Sequence, residues 1–270
     1  MFQESWLDWW ADARTPREVS RKKGKISVSE LENKVAVVIV AHPDDAEFGA
    51  AGTVATWVSE GWDVYYVICT DAAGGGSDEA SDVGAAARLA ISDTRKREQR
   101  AACEILGVKD VVFLDYPDGL LQPTMELRRD LVRLLRQYRP FRVVCQSPER
   151  TWTPVYSIGR YHPDHLASGE AALGAIYPAS QNPWDFPELL QEGLLPHKVR
   201  EVYFMGAPNP NYAVDISGKW EQKLASLSAH VSQLSEKFDQ VKQMLQTRAG
   251  ETGAKYGMTY AEEFHRAENR

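Results

Sequence analysis

The sequence predicts an α/β fold of Rossmann type, in which an open, mostly parallel sheet carries helices on both faces. Two observations predict it. Short apolar, β-branched runs alternate with stretches of helical composition along most of the chain. The runs also lack the polar alternation of half-exposed strands, which is typical of parallel strands covered on both faces. With 270 residues, of which 43% are apolar, the chain is long enough to bury one large core.

The predicted strands are short runs that are mostly apolar and rich in β-branched or aromatic residues. They are 35-VAVVIV-40, 64-VYYVIC-69, 111-VVFL-114, 143-VVCQ-146 and 199-VREVYFM-205.

Helices are expected between these strands, at about residues 49–60, 92–106, 124–138 and 164–177. Each is long enough to be the crossover between two parallel strands. Further helices are expected from Ser217 to about Ala249 and, as a short element, from Tyr260 to Glu268.

Two parts are predicted along the chain. Residues 1–33 are expected to form an N-terminal helical arm, because Trp6, Trp9 and Trp10 fall on one face of a short helix. Residues 34–270 are expected to form a single domain. The tryptophan-bearing arm and the C-terminal helices are suited to subunit contacts, which predicts a homo-oligomer.

Composition argues against several classes of protein. The net charge is −7, from 38 acidic and 31 basic residues, so no basic surplus indicates nucleic acid as a partner. No apolar run approaches the roughly 20 residues that cross a bilayer, and acidic residues interrupt the N-terminus where a signal peptide is apolar. We therefore expect a cytoplasmic protein without membrane contact. Cys69, Cys103 and Cys145 have apolar neighbours and are expected to be buried, reduced thiols.

A cluster of ligand-type side chains follows the first predicted strand. His42, Asp44 and Asp45 come directly after it, Pro43 fixes the turn, and a helix of small residues begins near Gly49. One aspartate there could be an ordinary helix N-cap, but an N-cap does not explain two adjacent carboxylates and a histidine. Because the carboxyl ends of parallel strands border the ligand crevice of an open sheet, a functional site is expected here.

A second cluster, 161-YHPDH-165, repeats the arrangement after the fourth predicted strand. A hydrolytic zinc site needs three nitrogen or oxygen ligands from the protein and one open position for water. His42, Asp45 and His165 can supply the three. This predicts one Zn²⁺ per chain, although carboxylate and imidazole ligands also accept other divalent metals.

The other side chains of the two clusters can move protons. Asp44 lies beside a ligand and can take a proton from the water that the metal activates. His162 can stabilise the oxyanion of amide hydrolysis or protonate the departing amine, and Asp164 can orient His162.

Both clusters resemble the motifs of the LmbE-like, or PIG-L, family of zinc-dependent N-acetylglucosaminyl deacetylases. The resemblance is carried by 41-AHPDDAE-47 and 162-HPDH-165, and it continues through 95-RKREQRAACEILGV-108 and 114-LDYPDGLL-121. It extends from about Lys34 to the end of the sequence. The resemblance implies the same division of roles: zinc ligands His42, Asp45 and His165, general base Asp44, and assistance to the oxyanion or leaving group from His162, held by Asp164.

The resemblance also implies contacts with the substrate. Arg95 matches an arginine that contacts sugar hydroxyls in the family, and Asp71 and Asp118, which follow predicted strands, are further candidates. A turn-forming role for Asp118 in its Pro-Asp-Gly segment is an equal alternative. The overall layout resembles the diacetylchitobiose deacetylases of the family, oligomers in which a C-terminal segment can border a neighbour's active site. His265 is the residue expected to do so here.

The function predicted from these features is metal-dependent removal of the acetyl group from a small N-acetylglucosamine-containing sugar or conjugate. Two alternatives stay open. One is an amidase that uses the same metal to cleave a cysteinyl-sugar conjugate. The other is a non-enzymatic, ligand-binding α/β protein, for which 72-AAGGGSDE-79 offers neither a GxGxxG fingerprint nor a P-loop lysine.

Overall fold

A seven-stranded sheet forms the centre of the protein in a computed structural model that describes residues 33–77, 79–152 and 161–270. The spatial order of the strands is β3-β2-β1-β4-β5-β7-β6. The first five strands in this order are parallel, and β7 runs antiparallel to both of its neighbours. The strands are β1 Val35–Val40, β2 Asp63–Thr70, β3 Asp110–Tyr116, β4 Arg142–Gln146, β5 Glu201–Met205, β6 Tyr212–Asp215 and β7 Ala261–Glu268.

Nine α-helices surround the sheet in the described ranges, with a π-helical turn at Ala175–Ala179 and a 3₁₀ turn at Ser217–Lys219. None of these helices is both long and apolar enough to cross a membrane. The helices are α1 Asp45–Gly49, α2 Ala51–Ser59, α3 Ala85–Leu106, α4 Met125–Tyr138, α5 Pro163–Gly174, α6 Pro187–Gln191, α7 Trp220–Ser228, α8 Val231–Leu234 and α9 Phe238–Tyr256.

The sheet separates two apolar layers, because successive residues of a strand face opposite sides. Val37 and Ile39 of β1 pack with α4 and α5 on one side, and Ala36, Val38 and Val40 pack with α1, α2 and α3 on the other. A third cluster joins α7, α8 and α9 outside the second layer. The predicted fold class, a mostly parallel sheet covered on both faces with additional C-terminal helices, is confirmed.

Several of the predicted elements differ from the structure. The helix expected at about residues 92–106 begins already at Ala85. The segment from Tyr260 to Glu268 has the composition of a helix, yet Ala261–Glu268 forms β7 between β5 and β6. Backbone pairing on both sides and burial of Phe264 outweigh the intrinsic helical preference of its alanines and glutamates. The helix predicted at residues 49–60 begins earlier and divides at Ala50, whose φ of −145° is not helical. Residues 1–32 of the predicted arm lie outside the described residues.

A buried ion pair holds the two helices on either side of this break. Lys223 of α7 donates to the carbonyls of Glu47 and Phe48, at 2.9 and 2.8 Å, where α1 ends. Glu262 of β7 accepts from the backbone N–H groups of Gly52 and Thr53, at 3.0 and 2.7 Å, where α2 begins. Lys223 Nζ and Glu262 Oε1 lie 2.7 Å apart. Each charge thus satisfies the free backbone groups of a helix end and matches that end's dipole.

The strand order creates a crevice at the carboxyl ends of β1 and β4. The chain leaves β1 toward α1 and α2 on one face and continues from β4 to α5 on the other face. Such a divergence between adjacent parallel strands is the usual ligand position in open α/β sheets. His42 follows β1 and His162 opens α5, so both predicted motifs lie at this crevice.

Candidate active site

The loop that follows β1 is held tightly by the backbone and by β4. Ala41 donates its N–H to Gln146 Oε1 at 3.0 Å, and His42 donates its N–H to Asp45 Oδ2 at 2.9 Å. Gln146 Nε2 also donates to Asp45 Oδ2, at 3.0 Å. The Asp45 carboxylate is therefore fixed through one oxygen, and its other oxygen is directed to His165.

Three side chains converge at the crevice. His165 Nε2 lies 3.0 Å from Asp45 Oδ1 and 3.3 Å from His42 Nδ1, and His42 Nδ1 lies 3.4 Å from Asp45 Oδ2. Ligand atoms about 2.0–2.1 Å from a tetrahedral ion stand about 3.3 Å from one another, so this set fits zinc or an ion of similar size. The His165 side chain is one-third exposed, which leaves a path to solvent on that side.

The second nitrogen of His42 has its own acidic partners. His42 Nε2 lies 3.1 Å from Asp118 Oδ1 and 3.1 Å from Asp164 Oδ2. Histidines that bind metals commonly give their other N–H to a carboxylate, which fixes the ring and its tautomer. Asp118 and Asp164 thus occupy the positions of groups that orient a ligand.

The positions of Asp164 and Asp118 differ from the contacts predicted for them. The sequence predicts that Asp164 orients His162, but the Asp164 carboxylate accepts from Gly119 N–H and Leu121 N–H, at 2.7 and 3.2 Å, and contacts His42. Its link to His162 runs through the backbone, because Asp164 N–H donates to His162 Nδ1 at the start of α5. Asp118, predicted to meet sugar hydroxyls, contacts His42 and accepts from Gly74 N–H.

Proximity alone allows two other sets of potential metal ligands that include His42. The ligand atoms of His42, His162 and His165 lie within 4.8 Å of one another, as do those of His42, Asp118 and Asp164. In the second of these, the carboxylates contact Nε2 of His42 and already accept backbone N–H bonds. The trio of His42, Asp45 and His165 faces solvent through His165 and keeps Nε2 of His42 for a hydrogen bond, as an open hydrolytic site requires.

The electrostatics of the crevice favour a cation. Burial disfavours a charge on His42, but hydrogen bonds to Asp118, Asp164 and Asp45 outweigh burial and raise its pKa to about 11. Burial raises the pKa of Asp44 to about 6, with a further contribution from Asp45 and an opposing one from Arg95. Asp45, although buried, has a pKa well below its ordinary value because of His165 and His42. The cluster of carboxylates thus attracts positive charge to the position between the ligands.

Asp44 adopts an unusual backbone conformation beside this trio. Its φ is 87°, a left-handed value that is uncommon outside glycine. Arg95, predicted to contact sugar hydroxyls, donates from Nη2 to the carbonyl of Pro43 at 2.9 Å and to Asp44 Oδ2 at 3.3 Å. Arg95 is buried, and one of its hydrogen bonds within the chain is to Asp44, the predicted general base.

Asp71 and the glycines after β2 shape the neighbouring loop. Asp71 Oδ1 accepts from the N–H groups of Ala73 and Asp118, at 3.0 and 3.1 Å, which ties the loops after β2 and β3 together. A Cβ on Gly75 would lie 2.4 Å from Arg95 Nη1. The glycine at position 75 therefore allows the close approach of the Arg95 side chain.

His265 lies on β7 opposite Phe204, where its Nδ1 donates to the carbonyl of Asn209 at 2.7 Å. Among the described residues this contact belongs to the sheet and its adjoining loop. The structure does not bring His265 into the trio. A role at the active site of a neighbouring chain stays a prediction.

Several polar residues of the site are not indicated by the sequence motifs. Gln146 ends β4 and binds Asp45, and its position at the carboxyl end of a strand could have indicated it. Gln99 accepts from Asp44 N–H at 3.0 Å, one helical turn after Arg95. His230 is fully buried and contacts Glu47 at 3.2 Å. No local pattern in the sequence indicates that pairing.

A cavity of about 240 Å³ adjoins the trio, and its lining includes Asp45 and His165. Phe48, Met205 and Tyr161 contribute to its walls. The Tyr161 hydroxyl accepts from Thr151 N–H at 3.0 Å. Tyr161, which the sequence motifs leave outside the catalytic set, therefore lies beside the site as part of the cavity wall.

Comparison with known proteins identifies relatives of this chain. The family model described as PIG-L, GlcNAc-PI de-N-acetylase, matches residues 37–176. A diacetylchitobiose deacetylase of Thermococcus kodakarensis is 33% identical over 90% of this chain and 87% of its own length. A probable N-acetyl-α-D-glucosaminyl L-malate deacetylase 2 of Bacillus cereus is 29% identical over 73% of this chain and 82% of its own length.

The fold has a solved counterpart as well. The structure of N,N'-diacetylchitobiose deacetylase from Pyrococcus horikoshii superposes with a TM-score of 0.77 and 30% identity, covering 87% of this chain and 84% of that one. The predicted resemblance is thereby confirmed. Since the family model spans more than half of the 270 residues and contains both clusters of the site, the chain belongs to the PIG-L family of de-N-acetylases.

Proposed function

We propose that this protein is a zinc-dependent deacetylase that hydrolyses the N-acetyl group of a small sugar or conjugate containing N-acetylglucosamine. The convergence of His42, Asp45 and His165 within 3.0–3.4 Å at the sheet crevice is the observation that carries the proposal. The relatives support the substrate class, since their names describe deacetylases of diacetylchitobiose and of N-acetylglucosaminyl malate.

The metal would supply one part of the chemistry. Held by His42, Asp45 and His165, it would act as a Lewis acid that makes water nucleophilic near neutral pH. The carboxylates of Asp118 and Asp164 would keep the His42 ring in place through Nε2.

Asp44 is suited to move the proton of the attacking water. Its carboxylate is directed by Arg95, and its pKa of about 6 lies close to physiological pH. A base with such a pKa takes up a proton readily and can release it to the departing amine in the next step. In the proposed mechanism Asp44 is therefore the general base and then the general acid.

His162 is suited to stabilise the oxyanion. Burial and the neighbouring His42 and His165 lower its pKa, which favours the neutral ring. Its Nδ1 accepts the N–H of Asp164, so the proton of a neutral ring lies on Nε2. The exposed Nε2–H is then a donor for the oxygen of the tetrahedral intermediate.

Acetate release tests the proposal directly. Purified protein is incubated with N-acetylglucosamine, diacetylchitobiose and N-acetylglucosaminyl malate, with and without a chelator, and products are identified by mass spectrometry. We expect acetate and a free amine from at least one substrate, loss of turnover with the chelator, and recovery with added Zn²⁺. Turnover that persists after complete metal removal would contradict the mechanism, and release of a larger acyl group would favour the amidase alternative.

Oligomer formation, the contribution of His265 to a neighbouring chain and a cytoplasmic location stay predictions. A mass measurement by light scattering tests the first. For the second, we expect His265→Ala to raise KM or lower kcat only if the protein is an oligomer. Unchanged kinetics in an oligomeric His265→Ala protein would contradict this role.

A further inference from the structure

Two residues of α3 hold both ends of one peptide bond in the active-site loop. Arg95 donates to the carbonyl of Pro43 at 2.9 Å, and Gln99 Oε1 accepts the N–H of Asp44 at 3.0 Å. This carbonyl and this N–H belong to the same peptide unit. Residues four apart on a helix lie on one face, so α3 presents the two side chains together to that peptide.

The clamped peptide leads into the strained residue of the loop. Asp44 has a φ of 87°, a conformation that a non-glycine residue keeps only when its surroundings hold it there. The direction of the Asp44 side chain depends on this φ. The hydrogen bond from Asp44 N–H to Gln99 therefore helps to decide where the carboxylate of Asp44 points.

The amide of Gln99 has only one orientation that satisfies its neighbours. Asp44 N–H can only donate, so the atom of Gln99 that faces it must be the oxygen. The Gln99 NH₂ group then donates to Glu47 Oε1 at 3.0 Å, and a carboxylate is well matched to it. The other Glu47 oxygen lies 3.2 Å from His230 Nε2. Gln99, Glu47 and His230 are all fully buried, so water does not replace any of these partners.

We propose that Gln99 is a positioning residue for Asp44, and that Glu47 and His230 act through it by fixing the orientation of its amide. The proposal rests on the proposed function, in which Asp44 is the general base. A merely structural role would instead make this chain of contacts a way to satisfy the buried carboxylate of Glu47. The positioning role and the structural role predict different effects on Asp44 when the donor and acceptor of the Gln99–Glu47 hydrogen bond are exchanged without a change in side-chain shape.

Three variants separate these views. Gln99→Leu removes the acceptor for Asp44 N–H. Gln99→Glu keeps an acceptor there but places its carboxylate against that of Glu47. The double variant Gln99→Glu/Glu47→Gln reverses the polarity of the pair, because the amide of the new glutamine can donate to the new glutamate and its oxygen can accept from His230.

We expect Gln99→Leu to lower kcat by about 100-fold, with KM and zinc content little changed, because small displacements of a catalytic group have effects of this size. Gln99→Glu is expected to lower kcat similarly, and the double variant to recover most of the activity. Arg136→Met is the matched control. Arg136 is buried on the other face of the sheet and donates to the carbonyls of Ala179, Ser180, Asn182 and Asp185, so its loss lowers stability without touching Asp44.

The backbone amide of Asp44 gives a readout that requires neither metal nor turnover. In metal-free protein, Gln99→Leu should shift the amide resonance of Asp44 and speed its exchange with D₂O, and the double variant should reverse both changes. Wild-type kcat in Gln99→Leu, a loss of kcat explained by lost zinc, or an equal loss in Arg136→Met would overturn the proposal. A wild-type protein that releases no acetate would contradict the proposed function instead, and the amide measurement would still decide whether Gln99 holds Asp44.

Discussion

At the scale of single residues, His42 connects the predicted metal ligands Asp45 and His165 to the carboxylates of Asp118 and Asp164. Its Nδ1 faces Asp45 and His165, and its Nε2 faces Asp118 and Asp164. A side chain with both nitrogens engaged cannot rotate without breaking contacts on two sides. We therefore expect the affinity for a metal at this site to depend on Asp118 and Asp164, which would not bind it.

Asp118→Asn tests this dependence. We expect zinc affinity to fall by about 10–100-fold, because the amide no longer provides the negative charge that orients and polarises His42. Competition with a chromophoric chelator measures the change. Asp115→Asn is the control, since Asp115 lies at the end of β3 with its carboxylate mostly exposed in an ion pair with Lys96. Equal affinities for the two variants would contradict the role of Asp118.

Asp44 has opposing effects on activity and stability. Asp44→Asn is expected to retain zinc but to lose about 10²–10⁴-fold in kcat, because the amide of asparagine cannot take a proton from water. Asparagine tolerates the left-handed backbone, so the loop should keep its shape. Isotope-dilution metal analysis and kinetics measure the two quantities. Loss of zinc from Asp44→Asn would indicate that Asp44 and not Asp45 is the ligand.

The pH dependence of stability provides a separate test of Asp44 in the metal-free protein. Its folded-state pKa is raised to about 6, mainly by burial, so the charged form is unfavourable in the folded state above that pH. This unfavourable contribution disappears as pH falls below about 4, where the carboxyl is protonated in both states. We expect Asp44→Asn to raise the free energy of unfolding by about 1–3 kcal/mol at pH 7.5 and by much less at pH 4. Urea denaturation at both pH values measures this, and an equal effect at both would contradict it.

At the scale of elements, the break between α1 and α2 depends on residues far along the chain. Lys223 satisfies the carbonyls at the end of α1, and Glu262 satisfies the N–H groups at the start of α2. α1 carries Asp45 at its first position. The elements that come last in sequence therefore stabilise the loop that contains the predicted metal ligands.

Lys223→Met removes one partner of this buried ion pair. We expect the free energy of unfolding to fall by about 3–5 kcal/mol, because Glu262 stays buried without its counter-charge. Lys109→Met is the control, since the side chains of Lys109 and its partner Asp63 are both more than half exposed and their ion pair should contribute less than about 1 kcal/mol. Chemical denaturation measures both. Similar losses of unfolding free energy in the two variants would contradict the expectation that the buried ion pair of Lys223 contributes more to stability than an exposed one.

The elements that could be predicted from sequence are those with a strong local signal. β1, β2 and β4 are continuous apolar runs, and their predicted bounds agree with the structure to within one residue at each end. β7 has no such run, because it contains three glutamates and an arginine in eight residues. Its strand conformation comes from pairing with β5 and β6, which are distant in sequence and leave no periodic pattern in β7 itself.

At the scale of the whole molecule, the three cysteines report on global unfolding. Cys69, Cys103 and Cys145 are buried and unpaired with one another, as the sequence predicts. Burial raises the pKa of Cys69 to about 12 and raises the pKa values of the other two thiols as well. Each thiol is thus protected both from reagent and from ionisation near neutral pH.

We expect no reaction of the native protein with a thiol reagent such as DTNB at pH 8, and reaction of three thiols per chain in denaturant. The rate of labelling at low denaturant should follow the fraction unfolded that is measured by circular dichroism. Fast labelling of one thiol under native conditions would show that part of the sheet opens locally.

The candidate site could be predicted in part. His42, Asp45 and His165 come together because the carboxyl ends of β1 and β4 are neighbours in an open parallel sheet, and ligand sites in such sheets lie where strands of this kind end. The supporting residues follow no such rule. Gln99 and His230 are separated by 55 and 183 positions from the residues they contact, and these pairings arise from how α3 and α8 pack. The motifs therefore indicate the trio of predicted metal ligands, and they do not indicate the residues that support it.

The place of β7 in the sheet has a consequence for synthesis. Residues 261–268 insert between β5 and β6, and Glu262 supports the start of α2. While residues 261–268 are still inside the ribosome, all of the predicted metal ligands have already emerged from it. At that stage β5 lacks the partner strand β7. Long-range pairing of this kind is slow to form. The edge of β5 therefore stays unpaired, and open to pairing with another chain, until residues 261–268 emerge.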